Sequence, residues 1–332
     1  MAKADTGLLG AAVAAGGLAF AGCTGPLSAL DPAGEAADVI ATLFWRMTAG
    51  ALVIWLAVVA LTVYAIYGPS RAFSRRAGAM LIVGGGVVFP VVVLTAVLVY
   101  GLALLPRLIA PAPATSLKIA VTGEQWWWRV RYLPPGGPPV ELANEIRLPV
   151  GEPVELSLAS PDVIHSLWIP ALAGKMDMIP GRVTRLALHP ARTGVFRGVC
   201  AEYCGIAHAL MGFPVVVLER QEFARWLAQQ AGPSAAPADP DAARGQALFL
   251  ATGCGACHTI RGTVARGEVG PDLTHVGSRL SLGAGILGNE PTAFARWISR
   301  TEQVKPGVHM PAFGMLPPDD VRALAAYLDF LQ

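Results

Sequence analysis

The stretch Gly198 to Phe213, GVCAEYCGIAHALMGF, packs two cysteines, a histidine, a methionine and a glutamate into twelve residues of a chain with five cysteines and six histidines. Thiolate, imidazole and thioether are the donors a soft transition metal such as copper selects. A single blue-copper ion takes two imidazoles, one thiolate and a thioether. The second imidazole must come from upstream, and His165 in SPDVIHSLWIP is the candidate. One thiolate is then left over. Two cysteines, two histidines, a methionine and a backbone carbonyl suit two coppers bridged by two sulfurs. The alternative is a Cys200–Cys204 disulfide, expected outside the cytoplasm but strained over so short a loop, and it leaves His208 and Met211 without a purpose.

A second constellation, CGACH (Cys254 to His258), has the spacing of a c-type haem attachment sequence. Two thiols three apart add to the haem vinyl groups, and the adjacent imidazole falls under the iron. A thioredoxin-like pair would follow a strand in a βαβ unit, and half a zinc site would need two more ligands; neither context surrounds the motif. Methionine opposite histidine raises a haem potential, and VHMPAFGML offers Met310 and Met315. Met310, followed by proline, resembles the axial loop of small class I cytochromes c; His309 is the alternative ligand, and Met315 reads as packing before the last helix. GPDLTHVGSR also resembles these cytochromes, which implies that Pro271 packs on the proximal side of the haem, Arg279 lies near a propionate and Trp297 hydrogen-bonds one. His275 has no assigned role.

The elements that must hold these residues follow from composition and pattern. The chain has 332 residues, 54% hydrophobic and only 14% charged, below the charge content of ordinary soluble domains. A net charge of +2 without a long basic run excludes a nucleic-acid reading. Met47 to Tyr67 and Ala77 to Pro106 are uncharged over 21 and 30 residues, long enough to cross a bilayer as helices of about 43–67 and 79–105. The loop between them carries Arg71, Arg75 and Arg76 and no acid, which places it in the cytoplasm and everything after Ala110 outside. An apolar run from Leu8 to Gly22 reads as a signal peptide, and FAGC (Phe20 to Cys23) resembles a bacterial lipoprotein cleavage box in which Cys23 is acylated.

From Leu117 to about Glu219 the pattern becomes short alternating runs (LKIAVTG, QWWWRVRY, ELANEIRL, PVELSLAS, TRLALH, GVFRGVC and FPVVVLE) split by Pro and Gly clusters. This is the period of an antiparallel sandwich. Gln221 to Gln230 reads as a short amphipathic helix, and AGPSAAPADPD (Ala231 to Asp241) as a flexible linker. A separate helical unit follows from Ala242, closing with DDVRALAAYLDFLQ. His189 reads as an ordinary residue of the sandwich.

CAEYCGIAHALM, GEQWWWRVRY and PDVIHSLWIPALAGKMDMIPGR together resemble the CuA subunit, subunit II, of cytochrome c oxidase, and the C-terminal unit resembles the fused cytochrome c of the caa-type branch. The resemblance implies a multidomain membrane protein: residues 1–22 a signal peptide, 23–38 an N-terminal segment, 39–110 a two-helix transmembrane hairpin, 111–220 an all-β cupredoxin sandwich, 221–241 a helix and linker, and 242–332 an all-α class I cytochrome c domain. It implies that Cys200 and Cys204 bridge the dinuclear copper CuA and that His165 and His208 each cap one copper. Met211 and the Glu202 carbonyl would be weak ligands. The Glu202 side chain would hold a magnesium shared with subunit I, and Trp126 would be where electrons enter. Haem c would be held covalently by Cys254 and Cys257, with His258 and Met310 on the iron. The expected partners are subunit I (haem a and CuB), subunit III, membrane lipid and a periplasmic or membrane-bound cytochrome or other donor, in the bacterial inner membrane. The expected activity is oxygen reduction coupled to proton pumping, with the linker letting the haem domain swing. The alternatives are the CuA subunit of a nitric oxide reductase, or a membrane-anchored copper and haem electron carrier. One departure from the family pattern is that no Asp or Glu stands between Arg71 and Glu124, where members often carry a carboxylate at a proton-channel entrance.

Overall fold

The computed structural model describes residues 23–69 and 74–332; the signal-like run and Arg71 of the basic loop lie outside the described residues. Val39–Ala110 form one compact unit, and the segment up to Asp38 with Pro111–Gln332 forms another.

The first unit is a helical pair. Helix α1 (Glu35–Tyr67) begins well before the expected boundary, with Glu35 and Asp38 in its first turn, where acids complement the helix dipole. Helix α2 (Arg75–Ile109) is capped by the Ser74 hydroxyl, which accepts from Ala77 N. It runs π-helical over Leu81–Val88, immediately before Pro90, which cannot donate to the helix ladder. Both helices exceed the expected spans because apolar length reports the hydrocarbon crossing and not the polar overhang. Their apolar stretches have none of their residues buried by protein, a length and composition that suit a membrane span.

The second unit starts with a sandwich of two five-stranded sheets, ordered β3-β2-β1-β5-β8 and β4-β10-β9-β6-β7. The strands are β1 (Leu117–Glu124), β2 (Trp127–Leu133), β3 (Val140–Ala143), β4 (Ile146–Pro149), β5 (Val154–Ala159), β6 (His165–Trp168), β7 (Met176–Met178), β8 (Thr184–Leu188), β9 (Gly194–Cys200) and β10 (Gly212–Leu218). Alternation does its expected work: Ile119, Val121, Trp128, Val130, Tyr132, Leu156 and Leu158 face one core. The sandwich is not purely antiparallel, however, since β1 pairs with β5 and β4 with β10 in parallel. The run ELANEIRL is also two strands, one in each sheet. It breaks at Asn144, whose φ is 58° and whose side chain accepts from Trp128 N at 2.8 Å. Asparagine tolerates this left-handed conformation, so the chain switches sheets there. The Tyr132 hydroxyl ties the sheets together, donating to Arg147 O at 2.9 Å and accepting from Arg147 N at 2.7 Å.

Helix α3 (Arg220–Ala231) extends the sandwich, with Phe223 and Trp226 against Tyr132. The start of the following segment, as far as Ser234, is hydrogen-bonded to the helical domain. Arg261 donates to Gln230 O and Ala231 O, and Ser234 donates to Arg261 O from both its backbone and hydroxyl. A Pro/Ala/Ser stretch makes little structure of its own, but its backbone remains available to an arginine fork. The helical domain then packs α4 (Pro240–Ala251), α5 (Pro291–Ser299) and α6 (Pro318–Phe330). Gly245 is required where α4 crosses α6: a Cβ there would stand 1.9 Å from Ala323 O.

Candidate metal centre and haem cleft

The copper-type donors converge through sheet register. Strand β6 pairs with β9 so that Leu167 faces Cys200, which brings His165, at the start of β6, beside Cys200, at the end of β9. The chain then turns through 201–211 and re-enters the sheet as β10. Ligand atoms of His165, Cys200 and Cys204, all buried, lie within 4.8 Å of one another. The sulfurs of Cys200 and Cys204 are 3.8 Å apart and unbonded in this structure. His165 Nδ1 is 3.9 Å from Cys200 Sγ and His208 Nδ1 is 3.5 Å from Cys204 Sγ. Met211 Sδ lies 3.9 Å from Cys204 Sγ, and Glu202 O 3.2 Å from Cys200 Sγ. All six donors proposed from the sequence are therefore in one cluster, and their chemistry fits thiophilic copper.

The electrostatics of the pair point the same way. Burial disfavours the Cys200 thiolate, yet hydrogen bonds around His165, Ser166 and Glu202 hold its pKa down at about 7. Burial and the neighbouring Cys200 charge push Cys204 up to about 12. Two sulfurs this close hinder each other's ionisation, and a cation bound at the pair would favour both thiolates.

Two residues that the sequence reading left out orient these donors. Asp162, three residues before His165, accepts from His165 Nε2 at 2.9 Å, leaving Nδ1 facing the sulfur; outer-shell carboxylates fix a ligand histidine in this way. Gln125 joins them, its N–H donating to Asp162 at 2.7 Å and its amide to Cys204 O at 2.7 Å. An acid in SPDVIH was the available signal for Asp162.

The three tryptophans of GEQWWWRVRY have different places. Trp128 is core, its ring 5.1 Å from that of Phe213. Trp127 lies under the Arg129 guanidinium at 4.7 Å. Trp126 is 7% exposed and donates from Nε1 to Cys204 O at 2.9 Å.

Trp126 also lines a cavity of about 420 Å³ in the helical domain, together with Cys254, Cys257, His258, Arg279, Trp297 and Met310. A mostly apolar cleft of that size suits a flat cofactor. His258 Nδ1 donates to Pro271 O at 2.8 Å, which fixes the tautomer and turns Nε2 free for a metal; burial lowers its pKa. Pro271 thus contributes a carbonyl as well as its ring. Arg279, its pKa lowered by burial, donates to Asp272 O. Met310 and His309 both line the cleft, whereas Met315 is 78% exposed. His275 joins the carbonyls of Gln332 and Gly232 at 2.9 and 3.1 Å, and His189 pairs with Glu35 at 2.7 Å. The Glu202 carboxylate is half-exposed and lies 3.8 Å from Lys175 Nζ.

A two-sheet sandwich with a thiol and imidazole donor cluster, joined to a helical domain carrying a c-type haem-attachment motif, has the make-up of a cupredoxin–cytochrome fusion. Comparison with known proteins sharpens this. Residues 138–219 match the family described as cytochrome c oxidase subunit II, periplasmic domain, and residues 242–332 match cytochrome c. The chain is 37% identical over 217 residues to cytochrome c oxidase subunit 2 of Alkalihalophilus pseudofirmus, covering 65% of this chain and 62% of that protein. It is 33% identical over 223 residues to cytochrome c oxidase subunit 2 of Bacillus sp. strain PS3, covering 64% and 62%. The chain thus spans a little over three-fifths of these relatives' length. A crystal structure of the periplasmic domain of subunit II of cytochrome oxidase from Bradyrhizobium japonicum is 33% identical, covering 36% of this chain and 96% of that one, with a TM-score of 0.34. The chain thus carries a domain of the oxidase subunit II periplasmic type followed by a cytochrome c domain.

Proposed function

We propose that this chain is subunit II of a respiratory haem–copper oxidase, taking electrons from an outside donor and delivering them to a large partner subunit that reduces oxygen to water and pumps protons. When bound, a covalent haem c and a dinuclear copper centre supply the one-electron chemistry, and the chain's own residues hold, orient and dry them. Cys254 and Cys257 would anchor the porphyrin, His258, steered by Pro271 O, and Met310 would serve the iron, and Arg279 and Trp297 wall the cleft. Cys200, Cys204, His165 and His208 would hold the coppers, with Met211 and the Glu202 carbonyl as weaker donors. The Glu202 side chain, on the surface, is open to a magnesium completed by oxygens of subunit I. Trp126, between cleft and copper loop, is where electrons enter the sandwich. The α1–α2 hairpin anchors the chain in the inner membrane with both domains outside, and Cys23 takes a lipid.

The observation that carries this reading is the convergence of His165, Cys200 and Cys204 within 4.8 Å beside a cleft that shares Trp126 with the haem-attachment residues. The test is purification from membranes through a tag on this chain. The expected result is a complex containing a second, haem-bearing subunit and showing cyanide-sensitive oxygen uptake. Isolation of the chain alone, without oxygen uptake, would overturn it.

A further inference from the structure

Lys305 is one of the largest fully buried side chains of the molecule, 1% exposed. Lysine is almost never found so deep without a partner charge, and no carboxylate within ion-pair distance of it is found among the described residues. Its ammonium instead donates to two main-chain carbonyls: Gly283 O of its own helical domain at 3.0 Å, and Trp126 O of the sandwich at 2.6 Å. On its other side, Trp126 donates from its indole to Cys204 O. The next turn reinforces the contact. Gly307 has a φ of +80°, and a Cβ there would stand 3.0 Å from the Trp126 ring.

Further hydrogen bonds between sandwich and helical domain, among the described residues, are of a different kind. Arg129 reaches Glu268 O at 2.9 Å, Arg147 reaches Ser278 O at 3.3 Å, Glu145 accepts from Leu280 N at 2.7 Å, and Gly212 N meets Ala284 O at 3.1 Å. None of them bonds the residue that lines the haem cleft and touches a copper ligand. Lys305 does, and it lines the same cleft.

Resting on the electron-transfer reading above, we propose that Lys305 is a positioning residue, an interdomain latch that fixes the haem cleft in register over Trp126. The chemistry suits the role. A buried ammonium costs solvation and stabilises little overall, but it rewards only the placement in which both carbonyls are reached at once. Any slip of the helical domain leaves a desolvated cation and an unsatisfied carbonyl. An apolar contact would tolerate the slip. Burial pushes the ammonium pKa down to about 7, the mark of a group whose solvation was given up for geometry.

The test uses the full complex with a protease site inserted after Ala236, so that the covalent tie can be cut once the complex is assembled. In the parent, the haem domain stays bound after cleavage, and electrons pass from photoreduced haem to copper. In Lys305→Met the domain is released on dilution about tenfold faster or more, and internal transfer slows by a similar factor, with haem spectrum and copper content unchanged. Lys305→Arg, which keeps a cation and its donors, recovers part of both losses. Lys305→Gln, polar and uncharged, supplies the same comparison if the methionine variant does not accumulate. Retention and transfer within twofold of the parent in the uncharged variants would overturn the latch. A parent that retains its domain but transfers no electron would instead overturn the functional reading, while the release assay still judges the latch.

Discussion

The copper loop and the haem cleft assemble their ligands in opposite ways. The proposed haem side is local: Cys254, Cys257 and His258 fall within five consecutive residues, and of the proposed ligands only Met310 comes from a distance. The copper side is not, because His165 stands 35 residues before Cys200 and meets it only through the pairing of β6 with β9. A local motif can be moved between folds, whereas the copper site is a property of sheet register. A one-residue slip of β6 would turn His165 to the opposite face. The haem site should therefore fail ligand by ligand, and the copper site should fail when its supports do.

The largest expected effect breaks the haem side at its one distant ligand. Met310→Ala should remove the low-spin methionine/histidine spectrum almost completely, and Met315→Ala should leave it intact; optical spectra of the reduced complex decide between them. If Met315→Ala abolishes the spectrum instead, the cleft is assigned wrongly. On the copper side, Asp162→Ala removes no ligand yet should weaken copper retention about tenfold to a hundredfold, measured by competition with a chelator. Unchanged retention would mean that register alone orients His165. A third change leaves both sites alone. Gly245→Val forces a side chain into the α4–α6 crossing and should cost the helical domain about 1–3 kcal/mol, seen as early thermal unfolding of the haem signal while the copper absorption holds. The smallest effect lies on the sandwich surface. Burial opposes ionisation of Glu141, but Arg131 and Arg129 outweigh it and hold its pKa below the ordinary carboxylate value. The bridge therefore stabilises above the ordinary carboxylate range, and that stability is lost as pH falls through the depressed folded-state value. Glu141→Gln should remove less than about 1 kcal/mol of acid-sensitive stability, measured by denaturant titration across that range.

Legibility in the sequence follows the same division. CGACH announced itself because a haem motif is written in adjacent residues, and Cys200, Cys204, His208 and Met211 did so because they share one loop. The apolar runs of the hairpin were plain from length alone. Less visible was everything that register or tertiary contact decides. ELANEIRL reads as one strand, since nothing in its alternation reveals that Asn144 turns it into the second sheet. β6 and β7, with four and three residues, are too short for a period to show. The linker reads as loose because its composition contains no partner, and that partner, Arg261, lies in the next domain. Nothing in the sequence marks Lys305, since the carbonyl it reaches belongs to Trp126, 179 residues away.

The most direct measurement is the number of coppers held by the purified complex, read together with the free thiols released when the metal is removed. Two coppers per chain and two titratable thiols, at Cys200 and Cys204, are the predicted result. A single copper, or a disulfide joining the two sulfurs in the native complex, would contradict the account.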